Sequence, residues 1–177
     1  NVVMGCPSLT ATDNRRFAMS VLNTILGGGM SSRLFQEIRE KRGLVYSTYS
    51  FSASYADAGY FGMYAGCSPP KTRQVIDLMG PELERLAADG VDEAELKKAR
   101  GQIAGGMVMA LEDSSSRMSR LGRAELVSGE FIDIDESLAR IGAVTAEEVQ
   151  ALAAELAAAP RTITVVGPFS SKEELGF

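Results

Sequence analysis

The chain has 177 residues, of which 45% are hydrophobic and 23% are charged, and its formal net charge is −5. This composition supplies enough apolar surface for one sizeable core, so a single domain spanning residues 1–177 is expected. The acidic balance disfavours a nucleic acid or an anionic membrane as a partner, because both require clustered Lys and Arg. No apolar run reaches the roughly 20 residues of a membrane helix, and a cytoplasmic protein is expected.

The start of the chain, NVVMGCP, lacks an initiator Met and lies inside a strand pattern, which predicts a piece of a longer product. Thr10 and Asp13 form a capping-box pattern ahead of apolar residues at helical spacing, so a helix is expected to begin there. Gly27 to Gly29 are predicted to end that helix through the left-handed conformation that glycine favours. A second short helix is predicted from about 32 to 41, with Leu34, Phe35 and Ile38 on its inner face.

From position 44 the pattern changes to alternation with a period of two, which predicts a strand. One face is predicted to carry Val45, Tyr49 and Phe51. The other face is predicted to carry Tyr46, Thr48, Ser50 and Ser52. The turn sequence ADAG and the returning stretch YFGMYAG complete a hairpin over 44–66.

Helical patterns dominate the rest of the chain. One helix is predicted over about 71–88, a long one begins at the Asp92/Glu95 capping pair, and another follows the capping box of Thr145 and Glu148. The β-branched stretch RTITVVG closes the chain as a strand. The predicted fold is therefore α+β, a ferredoxin-like split β-α-β-β-α-β arrangement whose mainly antiparallel sheet is covered by helices, with additional helices after position 91.

Several kinds of chemistry are disfavoured by composition. The sequence has no histidine, which removes Ser/His/Asp and Cys/His triads and the ordinary imidazole zinc sites. Cys6 and Cys67 are its only cysteines and are interpreted as buried, inert thiols, so no metal or cofactor site is predicted in this chain. The stretch GGGMSSR lacks the Gly-Lys-Ser/Thr ending of a phosphate loop, and a turn is the favoured interpretation.

Two further patterns receive structural interpretations. Met107, Met109 and Met118 lie near helical spacing and are predicted to fill the core. The stretch EDSSSR, residues 112–117, is predicted to be a polar loop rather than a phosphorylation site.

Arg39 and Tyr46 are the remaining candidates for chemistry. Arg39 lies near the end of its predicted helix, where the helix dipole stabilises a cation without any further role. Tyr46 lies on the polar face of the predicted strand, which is an unusual position for a purely structural tyrosine. The seven-residue spacing by itself still favours a structural role for both.

The whole stretch ILGGGMSSRLFQEIREKRGLVYSTYS resembles the C-terminal half of insulinase/pitrilysin-like zinc metallopeptidases, most closely the mitochondrial processing peptidase branch. The segments ADAGYFGMYAG, GVDEAELKKAR, ARIGAVTAEEVQALA and VVGP follow in the order typical of that family. The resemblance implies two similar halves that close around a chamber holding an unfolded peptide. It also implies that zinc is bound by an H-x-x-E-H motif in the N-terminal half, outside this chain.

Arg39 and Tyr46 match a family pair that reaches across the chamber to the catalytic site. The resemblance implies that they donate hydrogen bonds to the oxyanion of the tetrahedral intermediate. Gly28, Gly29 and Ser31 are expected to contact the substrate. The glycine stretch is shorter than in related non-catalytic subunits, which favours an active-type protease.

The leading hypothesis is thus the C-terminal half of a zinc endopeptidase that cleaves oligopeptides or presequence-like peptides. Its partner would be the N-terminal half of the same protein or a homologous subunit, and the chain is expected to be inactive alone and to form a homodimer when isolated. A second hypothesis is a non-catalytic scaffold or assembly subunit. A third is a stand-alone ferredoxin-like domain that binds a small ligand.

Overall fold

A four-stranded antiparallel sheet organises the protein. The structure is a computed structural model and describes residues 1–171 and 173–175. The strands are β1 (Val2–Pro7), β2 (Val45–Ser54), β3 (Gly59–Cys67) and β4 (Thr162–Val165). Their order across the sheet is β2-β3-β1-β4, with all neighbours antiparallel. This arrangement confirms the predicted α+β fold with a split β-α-β-β-α-β core.

Helices cover one face of the sheet and extend beyond it. They are α1 (Arg16–Gly27), α2 (Thr72–Asp89), α3 (Glu93–Ala110), α4 (Ser114–Arg123), α5 (Ile134–Ala143) and α6 (Ala146–Ala158). The helices α1 and α2 pack on the sheet, α6 packs against both of them, and α3 packs between α1 and α5. Within the described residues, no helix combines the length and the apolar character that crossing a bilayer requires.

The core lies between the sheet and the helices α1, α2 and α6. The strands contribute Met4, Phe61 and Met63, and the helices contribute residues such as Leu22 and Leu83. Each of these side chains is at most 5% exposed, so the sheet is fixed to the helical layer by continuous apolar packing. The opposite face of the sheet carries aromatic rings that remain partly exposed, including Tyr49 and Tyr60.

Two of the three predicted capping boxes are present. The side chain of Asp92 accepts a hydrogen bond from the Glu95 amide, and the Thr145 side chain accepts one from the Glu148 amide. The predicted box of Thr10 and Asp13 is wrong, because α1 begins only at Arg16. The Asp13 carboxylate instead accepts hydrogen bonds from the backbone amide and the guanidinium of Arg15.

The predicted faces of β2 are wrong, because a β-bulge lies between Val45 and Ser47. The extra residue reverses the alternation that follows it. Thr48 and Ser50 are therefore buried, and the Ser50 hydroxyl donates a hydrogen bond to the Asn23 carbonyl of α1 at 3.0 Å.

The aromatic residues of β2 consequently lie on the open face of the sheet. Tyr49 stacks on Tyr64 of β3 with a distance of 4.8 Å between ring centres. Phe51 lies opposite Gly62, whose missing side chain leaves room for the ring. Tyr49 and Phe51 were predicted to share the buried face of Val45. In the structure they lie on the opposite, open face.

The predictions for residues 107–118 also need correction. Met109 and Met118 are 73% and 67% exposed, so they do not fill the core, whereas Met107 is half-buried. Helical spacing alone does not reveal whether another element covers the apolar side of a helix. The stretch 112–117 is a loop only at Glu112 and Asp113, because the Asp113 side chain caps α4, which begins at Ser114.

Candidate functional site

Residues 28–44, here called the connecting segment, join α1 to β2 through an irregular backbone. Phe35–Glu40 form a π-helical turn, Gly43 has a φ of 58°, and the β-bulge follows between Val45 and Ser47. Isolated π-helical turns and β-bulges occur preferentially near functional sites, where they change the direction of a side chain. All three irregularities lie between or beside the two residues that the sequence singled out, Arg39 and Tyr46.

The Arg39 guanidinium contacts two aromatic rings. Its central carbon is 4.7 Å from the centre of the Phe35 ring and 5.3 Å from the centre of the Tyr46 ring. Both distances fall within the range of a cation–π contact. The prediction that Phe35 faces inward is wrong, since Phe35 lies one turn before Arg39 on the same side of the helix. Leu34 and Ile38 are fully buried, as predicted.

The polar atoms of this pair are available for a ligand. Tyr46 is 84% exposed, and Arg39 is half-buried beneath it. Across residues 1–171 and 173–175, neither the Tyr46 hydroxyl nor the Arg39 guanidinium has a hydrogen-bond or ion-pair partner. A phenol hydroxyl and a guanidinium both donate hydrogen bonds, so the pair can stabilise negative charge on a bound molecule.

Ion pairs hold the connecting segment in place. The Glu37 side chain, 14% exposed, pairs with Lys41 and accepts a hydrogen bond from the Arg42 guanidinium at 2.6 Å. These hydrogen bonds lower the pKa of Glu37 to about 2. The Arg33 guanidinium donates two hydrogen bonds to Glu95 of α3, at 2.9 and 2.7 Å. The Glu37 ion pairs thus connect residues within the segment, and the Arg33 hydrogen bonds connect the segment to the capping box of α3.

The segment begins where α1 touches β2. A β-carbon built on Gly27 would lie 2.0 Å from the Ser50 amide nitrogen, so only glycine allows this approach. The helix ends at Gly27 as predicted, but Gly28 has a φ of −81°, and the expected left-handed conformation is wrong at this cap. Glycine is required at position 27 because α1 packs closely against β2, and a left-handed backbone conformation is not the reason.

The three predicted substrate contacts lie beside α3, on another side of the segment. The Gly28 carbonyl accepts a hydrogen bond from the Gln102 side chain at 2.8 Å, and Gly29 lies next to the same side chain. Ser31 is exposed and lines a shallow depression with residues of α3 that include Lys98. Tyr46 lines a separate depression, so the structure brings Arg39 and Tyr46 together without placing the three residues beside them.

Two neighbours of the pair were missed from the sequence. Phe35 precedes Arg39 by four residues, and this spacing could have predicted their contact on a helix. Lys71, at the start of α2, donates a hydrogen bond from its Nζ to the Gly43 carbonyl at 2.9 Å. No sequence signal indicates this contact, because it depends on how α2 packs beside the hairpin.

The residues that the structure describes do not fit a zinc ion. The sequence has no histidine, and within the described residues no three Cys, Asp or Glu side chains are grouped so that they could hold a metal. Cys6 is buried in β1, and burial raises the pKa of its thiol. Cys67 is half-buried rather than buried as predicted, and its sulfur lies 3.6 Å from the Thr72 hydroxyl. Two separated thiols, one of them held protonated, make a poor metal site.

Sequence comparison assigns the chain to a family. The profile of the peptidase M16 inactive domain matches residues 1–103. The chain belongs to this M16 inactive-domain family. An uncharacterized zinc protease of Streptomyces coelicolor is 47% identical over 173 residues, which are 98% of this chain and 38% of that protein. The M16 domain described here therefore spans about two fifths of the length of this curated relative.

Solved structures share the fold of this M16 domain. A peptidase M16 inactive domain from Pseudomonas fluorescens superposes with a TM-score of 0.81 at 23% identity, covering 92% of this chain and 39% of that one. A structure from Bordetella parapertussis, described as an inactive peptidase domain, gives a TM-score of 0.79 at 18% identity, covering 93% and 91%. At these identities the likeness shows the fold and leaves the chemistry to the site itself.

Proposed function

We propose that this M16 domain is the C-terminal half of a zinc endopeptidase and supplies two hydrogen-bond donors to the peptide bond being cleaved. The observation that carries the proposal is the contact of Arg39 with Tyr46. An exposed phenol lies on a guanidinium that has no carboxylate partner in the described residues, and both are held on a braced, irregular backbone. Two donors that have no partner in the described residues therefore lie side by side, where they can bind one acceptor of a substrate.

The proposed role of each group follows from its chemistry. Attack on a peptide bond places negative charge on the carbonyl oxygen, and fixed donors that point at this oxygen lower the barrier. The Tyr46 hydroxyl would donate one hydrogen bond, and the Arg39 guanidinium would contribute its charge and a second donor. The contact with Phe35 restrains Arg39 and so reduces the entropy lost when the donors engage the substrate.

The rest of the catalytic apparatus is assigned to the N-terminal half in this proposal. The curated relative is named a zinc protease, and the described residues of this chain do not fit zinc. The metal would therefore be held elsewhere in the protein and would supply Lewis-acid chemistry there.

The substrate in this proposal is an oligopeptide or a presequence-like peptide enclosed between the two halves. Gly28, Gly29 and Ser31 are proposed as outer contacts to the same peptide, because they lie along the connecting segment that carries Arg39. The Ser31 hydroxyl and the backbone of the glycines would contact a part of the peptide remote from the cleaved bond.

The test compares full-length parent protein with its variants Tyr46→Phe and Arg39→Ala on a quenched peptide with zinc. Each variant is expected to lose on the order of 100-fold in kcat, because one donor to the oxyanion has been removed. Tyr55→Phe is the matched control, since Tyr55 is also exposed, at 55%, and lies at the hairpin turn away from Arg39. Circular dichroism melting should be unchanged in Tyr46→Phe and Tyr55→Phe, whereas Arg39→Ala should stay folded and melt slightly earlier, because it loses the contacts with Phe35 and Tyr46. The isolated 177-residue chain should be inactive.

Two outcomes would contradict the proposal. A parent protein that cleaves no peptide with zinc present would favour the scaffold or assembly role instead. A Tyr46→Phe variant that keeps activity within a factor of two of the parent would show that the phenol hydroxyl has no part in the reaction.

A further inference from the structure

A shallow depression of about 620 Å³ lies beside Tyr46 and has one charged side chain. Its lining consists of Asn1, Gly43, Leu44, Val45, Tyr46, Ser47, Tyr64, Gly66, Cys67, Ser68 and Lys71. The buried residues Leu44 and Val45 contribute apolar surface, and the rings of Tyr46 and Tyr64 contribute two aromatic surfaces. Lys71 is therefore the only side chain of the lining that carries charge at neutral pH.

Lys71 is a half-buried cation with unused hydrogen-bonding capacity. Its Nζ donates one hydrogen bond, to the Gly43 carbonyl, whereas an ammonium group has three donors. Among the described residues no Asp or Glu oxygen lies within 4.0 Å of this nitrogen. Lys41 provides a contrast, because its ammonium pairs with the Glu37 carboxylate. Because two of the three ammonium donors have no partner among the described residues, this cation can bind a ligand of opposite charge.

We propose that this depression is a subsite for a carboxylate of the bound peptide, with Lys71 as the residue that binds it. The inference rests on the proposed function above and adds a substrate preference to it. The carboxylate would belong to an acidic side chain or to the C-terminus of the peptide. Ser47 and Ser68 in the same lining provide hydroxyl donors for its second oxygen.

The position of Tyr46 places this subsite close to the cleaved bond. Tyr46 contacts Arg39 with its ring and also lines the depression that contains Lys71. An extended peptide advances about 3.3 Å per residue, so the bound carboxylate would belong to a residue near the cleaved bond. Lys71 is accordingly a specificity-determining residue, and Arg39 and Tyr46 remain the donors to the reacting carbonyl.

The test uses full-length parent protein and matched pairs of quenched peptides. One pair differs by Glu or Gln at each position near the cleaved bond, and the other ends in a free carboxylate or an amide. We expect kcat/KM to be about fivefold higher for the acidic member of one pair, as a single exposed ion pair allows. The pair that shows the preference identifies the source of the carboxylate.

Variants of Lys71 separate charge recognition from structural support of Gly43. Lys71→Gln should remove the preference, and Lys71→Arg should keep it, because Arg restores the charge. Lys97→Gln is the control, since Lys97 is an exposed lysine of α3 without an ion pair in the described chain. A purely structural role would lower kcat/KM equally for both members of a pair and would leave the preference intact in Lys71→Gln.

A binding measurement distinguishes failure of the subsite from failure of the proposed function. The Glu and Gln peptides are titrated into this 177-residue chain while backbone amides are followed by NMR. Shifts at Ser47 and Cys67 that occur with the Glu peptide and vanish in Lys71→Gln would support the subsite even if the parent protein cleaves nothing. Equal shifts with both peptides, or no shifts at all, would overturn it.

Discussion

The connecting segment and the stretch 108–131, here called the apolar segment, both expose large side chains, but they are built in opposite ways. The connecting segment has an irregular backbone fixed on the core through Leu34 and Ile38, each 0% exposed. The apolar segment is largely helical, and its helix α4 contains no buried residue. Its exposed apolar side chains are Val108, Met109, Met118, Leu121, Leu126 and Phe131.

The difference separates two uses of an exposed surface. Chemistry requires a few donors held within fractions of an ångström, and such precision needs a braced backbone. Association requires apolar area, which a helix with one uncovered face provides without bracing. We therefore propose that the apolar segment of the isolated chain contacts a second copy of this chain. Three predictions test this contrast between the two regions.

The largest expected change in the free energy of unfolding comes from a substitution in the packing beneath the connecting segment. Gly27→Val would place side-chain atoms against the Ser50 backbone, where a β-carbon already lies within 2.0 Å of the amide nitrogen. We expect the free energy of unfolding to fall by about 3 kcal/mol, as overpacking against backbone does at its upper range. Urea unfolding followed by circular dichroism measures this change.

Gly106→Val is the matched control in α3, next to the apolar segment. No atom lies within 4 Å of a β-carbon built on Gly106, and valine has a higher helix propensity than glycine. This variant should unfold at the same or a higher urea concentration than the wild type. Equal destabilisation by Gly27→Val and Gly106→Val would contradict the proposed difference between the connecting segment and the apolar segment.

An intermediate effect is expected from the ion pairs of the connecting segment. The pKa of Glu37 is lowered to about 2 from an ordinary value of 4.5, so the folded state binds the proton less tightly than the unfolded state. The resulting stabilisation is complete above about pH 4.5 and is lost as the pH falls towards 2. Glu37→Gln should cost about 1 kcal/mol at pH 7, which is the upper range for a partly exposed ion pair.

The pH dependence of urea unfolding between pH 2 and 7 checks this sign. The wild type should lose stability more steeply below pH 4.5 than Glu37→Gln does. Glu40→Gln provides the control, because Glu40 is exposed and forms no ion pair within residues 1–171 and 173–175. Parallel pH curves for the wild type and Glu37→Gln would show that the ion pairs do not support the segment.

The smallest effect on stability is expected in the apolar segment. Leu121→Gln and Leu126→Gln replace side chains that are 55% and 86% exposed, so each should change the free energy of unfolding by less than about 0.5 kcal/mol. The isolated chain is expected to self-associate, and the double variant should shift it towards monomer in analytical ultracentrifugation. A wild-type chain that stays monomeric at high concentration would argue against association through this region.

Sequence patterns predicted the parts of the fold that depend on local interactions. The capping boxes of α3 and α6 were predicted correctly, because each involves residues three positions apart. The box at Asp13 failed because Arg15 competes for the same carboxylate. The bulge that reverses β2 was not predictable, since it arises from pairing with β3 and packing on α1.

The candidate site was only partly accessible from sequence. Arg39 and Tyr46 were singled out through a family resemblance, and the structure adds that they touch. The involvement of Lys71 depends on the packing of α2 beside Gly43, which no local pattern encodes. Met109 and Met118 were wrongly predicted to fill the core. Helical periodicity identifies the apolar side of a helix, but it does not show whether another element packs against that side.

The clustering of tyrosines in the hairpin has a practical consequence for spectroscopy. The sequence has five tyrosines and no tryptophan, and all five lie between positions 46 and 64. Near-ultraviolet absorbance and intrinsic emission therefore report mainly on β2, β3 and their turn, with Tyr46 as the most exposed contributor. A ligand that binds near Arg39 would change this optical signal without any label, so the protein carries its own reporter at the place where binding is proposed.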